Sequence, residues 1–122
     1  MKYLLILFIC LSVFSGNAQH SYSKSECDTN LYAENVLSPN GDGVNVDFNM
    51  HFKHARPEIY NMKIFDRWGE LIFETNDLLK GWDGTNKKGN NLQEDVYVWR
   101  TEYNYKKKGE KLICVGHITL LR

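Results

Sequence analysis

The stretch DVYVWRTEYNY, residues 95–105, decides the fold. Val96, Val98, Arg100 and Glu102 share one parity; Tyr97, Trp99, Thr101, Tyr103 and Tyr105 share the other. Side chains on a strand point alternately to opposite faces, so this run reads as a β-strand with an aromatic face turned inward. The same period extends on both sides. Downstream, Lys106–Gly109 is a turn and EKLICVGHITLL (110–121) the last strand, with Gly116 in the position of a bulge. Upstream, YNMKIFD (60–66) and ELIFET (70–75) flank Asp66-Arg67-Trp68-Gly69, where Gly69 suits the positive φ of a short bulged hairpin. NVDFNMHF (45–52) places Val46, Phe48, Met50 and Phe52 on one face, and YAENVLS (32–38) reads as a further short strand. Gly81-Trp82-Asp83-Gly84 carries an Asp-Gly turn signal and residues 86–90 form a polar loop. The one helical candidate is a turn near residues 76–80. Six or seven short strands at this spacing predict an all-β fold, an immunoglobulin-like β-sandwich of about seven antiparallel strands.

The N-terminal segment reads differently. Lys2 precedes the apolar run LLILFICLSVF (4–14), and Gly16 and Ala18 supply small residues ahead of Gln19. That pattern predicts a secretory signal peptide over 1–18, since a run this short falls well below the roughly 20 apolar residues of a membrane span. Residues 19–34 then read as a flexible lead-in and 35–122 as the folded domain. Without residues 1–18 the chain has 104 residues, with 14 basic and 15 acidic side chains and a formal charge of −1. Such a balance gives no long-range attraction to nucleic acid. Cys27 and Cys114 remain as an even pair. In an exported protein such a pair reads first as a disulfide; the alternative is two thiols, Cys114 being a small buried apolar residue.

Chemistry-bearing motifs are few. SPNGDGVNVDFN (38–49) lacks the lysine and following helix of a phosphate loop. Asn40, Asp42, Asn45 and Asp47 supply the oxygen donors of a calcium site, with Gly41 and Gly43 allowing a sharp path, but the spacing is not that of an EF-hand. The reading set ahead of calcium is a turn held by Asn and Asp side chains on nearby backbone N–H groups. His51 and His54 are spaced for metal ligands on a helix, yet His51 sits in a strand pattern, where positions three apart face opposite ways. There is no nucleophile elbow, so no catalytic residue is assigned. Trp68, Trp82 and Trp99 have two readings: a sugar-binding platform, or the ordinary aromatic core of a small sandwich, which is favoured. In the first case an exposed tryptophan should line a site.

The series NVLSPNGDGVNVDF, MKIFDRWGELIFET, GWDGTNKKG, DVYVW and GHITLLR resembles, in order and spacing, the gliding motility-associated C-terminal domain, the type B sorting domain of the type IX secretion system in Bacteroidetes. The resemblance runs from about Asn35 to Arg122 and includes the turn residues Pro39, Gly41, Gly43, Arg67, Trp68, Gly69, Trp82, Asp83 and Gly84. It implies an immunoglobulin-like sandwich that is not an enzyme and has no resident cofactor. Such a domain is exported to the periplasm by the general secretory route and then recognised by the type IX translocon with a companion outer-membrane barrel protein, on the way to the cell surface or medium. Two features depart from the family pattern: Val46 intervenes before Asp47, and Gln93-Glu94-Asp95 replaces the usual Pro-Asp-Gly. The stretch from Gln19 to Asn35 leaves almost no cargo. The alternative reading is a stand-alone extracellular binding or adhesion module.

Overall fold

Seven strands follow in chain order: β1 (Leu31–Ala33), β2 (Val36–Leu37), β3 (Met50–Phe52), β4 (Ile59–Phe65), β5 (Leu71–Thr75), β6 (Asp95–Asn104) and β7 (Leu112–Leu120). The computed structural model describes residues 27–41, 43–106 and 109–122. The segment read as a signal peptide (1–18), the stretch read as a lead-in up to residue 26, Asp42, Lys107 and Lys108 lie outside the described residues.

A five-stranded sheet of order β2-β7-β6-β4-β5 faces a two-stranded sheet, β1-β3. Paired strands are antiparallel except β2, which runs parallel to β7 through Val36↔Thr119 and Leu37↔Leu120. The period of two in β6 becomes the core. Tyr97, Trp99, Thr101 and Tyr103 are buried, with Tyr60, Met62 and Ile64 of β4 on one side and Cys114, Ile118 and Leu120 of β7 on the other. Phe48, Met50, Leu37 and Trp82 close over them. Full burial of a large apolar side chain is worth roughly 1.5–3 kcal/mol, so this aromatic layer dominates the favourable energy. The opposite face of β6 carries Arg100 and Glu102, joined at 2.5 Å, with Lys111 on Glu102 at 2.6 Å.

Three local expectations change. The strand expected over 32–38 divides: β1 pairs with β3 and β2 with β7, so the chain crosses between sheets at residues 34–35. The strand expected over 45–52 is extended and paired only from Met50. Ahead of it Asn45 adopts a positive φ of 51°, and Phe48 forms an isolated bridge with Trp82. Val46 is consequently exposed. Gly116 is no bulge, because β6–β7 register is continuous through it. It is small for another reason: a Cβ there would lie 2.3 Å from the Trp99 indole. The register shift falls instead between Ile64 and Phe65, beside the Asp66–Gly69 hairpin. Residues 76–80 make a turn, with the Lys80 N–H donating to the Asp77 carbonyl at 3.1 Å; no helix occurs among the described residues.

Candidate functional site

The residues singled out by motif gather into three places. The first is a buried junction. Phe48 and Trp82 exchange backbone hydrogen bonds of 2.8 and 3.0 Å, which draws the loop after β5 across the core. The Trp82 indole N–H donates to the Thr85 carbonyl at 2.8 Å, and its ring meets Tyr97 edge-on at 5.1 Å. Asp83 accepts from the Thr85 N–H and hydroxyl, closing the turn. Gly84 has φ +83°, and a Cβ there would stand 3.0 Å from Leu120 and 3.1 Å from the Arg122 guanidinium. Arg122 donates to the carbonyls of Leu92 and Gly84, each at 2.8 Å, while its backbone N–H donates to Glu94 at 2.6 Å. The Trp-Asp-Gly turn thus holds the end of the last strand. Sequence reasoning missed the Arg122 contacts; no local pattern announces a bond across 38 positions.

The second place is the β4–β5 hairpin tip. Asp66 accepts from the N–H groups of Trp68 and Glu70, both at 2.9 Å, and Gly69 takes φ +81°. The turn is rigid, yet Trp68 is 84% exposed, against the expectation of a core aromatic. The neighbouring Arg67 binds Asp95 at 2.8 Å. A cleft of about 450 Å³ opens beside it, lined among others by Trp68, Glu70, Gln93 and Asp95.

The third place is where the described chain begins. Cys27 and Cys114 form a disulfide with Cα atoms 4.9 Å apart. Three residues on, Asn30 donates through its amide to the Tyr105 hydroxyl at 2.7 Å and accepts from the His54 N–H at 2.7 Å. The Tyr105 hydroxyl donates to the Asp28 carboxylate. That bond, followed by the Asn30 N–H, holds the Asp28 carboxyl below the ordinary range. Burial first, then the bond to Asp28, pushes the Tyr105 hydroxyl up to about 12. Part of the stretch read as a lead-in is therefore bound to the sandwich as a strap.

The Ser38 N–H donates to the Asn45 carbonyl at 2.8 Å, and Gly41 and Gly43 take φ of +84° and +77°. Of the expected oxygen donors, Asn40, Asn45 and Asp47 are exposed and Asp42 lies outside the described residues. No group of three or more His, Cys, Asp or Glu side chains converges among the described residues, and His51, His54 and His117 stay on the surface. β7 presents an edge. The N–H groups of Thr119 and Leu121 point to the β2 side, bonding Asn35 and Leu37, so Ile113, Val115 and His117 turn theirs the same way, ahead of the short β2. No helix of the described residues is long and apolar enough to cross a membrane.

No curated protein matches the chain. The family model CHU_C, described as a type IX secretion signal domain, matches residues 31–120, from the first residue of β1 to the last of β7. A domain of that kind is a sorting module and not a catalytic family, and it marks proteins for the cell surface or the extracellular space. The chain belongs to the CHU_C type IX secretion signal domain family.

Proposed function

We propose that residues 27–122 act, without any catalytic step of their own, as the signal that the type IX machinery reads on a chain already exported to the periplasm. The observation that carries this is the family match, which spans the whole sandwich instead of a fragment of it. The contact element is the β7 edge. An extended segment of the translocon, or of a companion outer-membrane barrel protein, pairs with the backbone of Ile113, Val115 and His117, and the exposed side chains of the same residues confer selectivity. In the exported chain Cys27 and Cys114 are joined; thiol titration of unfolded, unreduced protein should then find no free thiol on either residue.

A reporter inserted between Ala18 and Gln19 tests the sorting role. This position leaves β1 and the strap intact, which an insertion near Ala33 would not. In a type IX-competent bacterium the reporter should reach the surface or medium, and in a translocon-deficient strain it should stay in the periplasm. Periplasmic retention in both strains would overturn the sorting role and favour a stand-alone binding module. Replacing Val115 by proline removes one edge N–H and should lower export while the purified domain remains folded.

A further inference from the structure

The hairpin cleft has no part in the edge pairing above, and it holds an unexplained feature: a tryptophan 84% exposed on a turn fixed by its own hydrogen bonds. We propose that this cleft binds a neutral glycan, with Trp68 as the platform for one pyranose ring. A pyranose offers C–H groups on its face and hydroxyls at its rim. An indole face takes the first, and planar amide and carboxylate side chains take pairs of the second. The cleft supplies both. Asn91 and Gln93 line it with side-chain amides that make no hydrogen bond among the described residues. Asp95 is held in place by Arg67 at 2.8 Å, and the Tyr97 hydroxyl donates to the Gln93 carbonyl at 2.8 Å, fixing the backbone beneath.

Size and charge narrow the ligand. A volume of about 450 Å³ falls within the roughly 300–1,000 Å³ of small-molecule sites. The carboxylates of Asp66, Glu70 and Asp95 outnumber the single guanidinium of Arg67, so uronic and sialic acids are repelled and uncharged hexoses are not. Trp and Arg together also suit a protein contact. The polar, planar lining of the cleft favours a sugar over the apolar anchor of a protein partner. The tip is already ordered, so binding incurs little entropy cost on the protein side.

The test uses the exported chain with its disulfide intact. Trp82 and Trp99 are buried, so a change in water-exposed tryptophan emission reports Trp68. Neutral hexasaccharides of glucose, mannose, galactose and N-acetylglucosamine are titrated, with hexagalacturonate as the acidic counterpart. At least one neutral hexasaccharide should give a saturable blue shift, and hexagalacturonate should bind at least tenfold more weakly. Trp68→Ala should abolish the shift without lowering the melting temperature. The double variant Asn91→Ala with Gln93→Ala should weaken binding at least fivefold while leaving the saturated shift in place. The proposal is overturned if no neutral hexasaccharide shifts the emission or if the shift persists in Trp68→Ala. It is equally overturned if Trp68→Ala blocks export while sugars remain silent, for then the tip is a protein contact. The sorting role rests on other observations and survives each of these results.

Discussion

Two turns of this domain are built from the same residue types. Asp66-Arg67-Trp68-Gly69 and Gly81-Trp82-Asp83-Gly84 each hold a tryptophan, an aspartate that accepts a backbone N–H two residues on, and a glycine near φ +80°. Yet Trp68 is 84% exposed and Trp82 is 0% exposed. The difference lies in what the backbone pairs with. Trp82 exchanges hydrogen bonds with Phe48, a residue far away in the chain, and this bridge lays its side chain across the core. Trp68 sits in the middle of a hairpin whose pairing ends at Phe65 and Leu71, so its backbone is tied only to its own turn. Turn chemistry sets the shape of both loops. Long-range pairing alone decides which tryptophan holds the fold and which is left for a partner.

Truncating each tryptophan tests that contrast most severely. Trp82→Ala should cost about 3–5 kcal/mol, because it empties a fully buried site between the two sheets. Trp68→Ala should stay within about 0.5 kcal/mol, as surface changes do. Urea titration of the two variants side by side measures both, and similar losses would break the comparison. The next largest effect belongs to Gly116→Ala, where the added methyl meets the Trp99 indole at 2.3 Å; overpacking of this kind costs about 1–3 kcal/mol.

The two turn glycines sharpen the comparison at smaller scale. Gly69→Ala meets nothing within 4 Å and should show only the conformational cost of a left-handed residue, roughly 1 kcal/mol. Gly84→Ala carries that cost and also crowds Leu120 at 3.0 Å and Arg122 at 3.1 Å. Its loss should exceed that of Gly69→Ala by about 0.5–1 kcal/mol. Equal losses in thermal melts would mean that Arg122 and Leu120 move aside freely, and that the end of β7 is not held by the Trp-Asp-Gly turn.

The same division separates what was legible in the sequence from what was not. Alternation along 95–105 assigned both faces of β6 correctly, because the period is local and depends on the strand alone. The hairpin at Gly69 was legible for the same reason. The split of 32–38 between two sheets was hidden, since the residues of β1 and β2 look alike and only their partners, β3 and β7, differ. Gly116 carried a real signal, a glycine in a strand, but the cause was an indole on the neighbouring strand. At the sites, the motif series gave no sign of the exposure of Trp68 or the anchoring of Arg122. The strap was hidden too: Asp28 and Tyr105 meet across 77 positions, and nothing near either residue predicts the other.

That strap supplies the smallest effect, and it asks whether a third region behaves like the core or like the tip. Asp28 has its folded-state pKa lowered from 3.8, mainly by the Tyr105 hydroxyl. A lowered carboxyl contributes stability that is present above the unfolded value and is lost as the pH falls through the folded one. Tyr105, raised to about 12, contributes stability that is complete below its ordinary value of 10.0 and is lost as the pH rises through about 12. The strap should therefore weaken below about pH 4 and above about pH 10, while the disulfide keeps Cys27 beside Cys114 at both extremes. Asp28→Asn should cost about 1 kcal/mol at neutral pH, the net worth of one partly exposed hydrogen bond. It should also flatten the acid limb of stability below pH 4, whereas Trp68→Ala should keep that limb intact. Hydrogen exchange at the Asn30 and His54 amides gives the local reading. Faster exchange confined to these amides in Asp28→Asn would make the strap a separately opening unit, like the tip in its independence from the core. Faster exchange throughout β1 and β3 would make it part of the second sheet, and the boundary of the cooperative fold would then lie at Cys27 instead of Leu31.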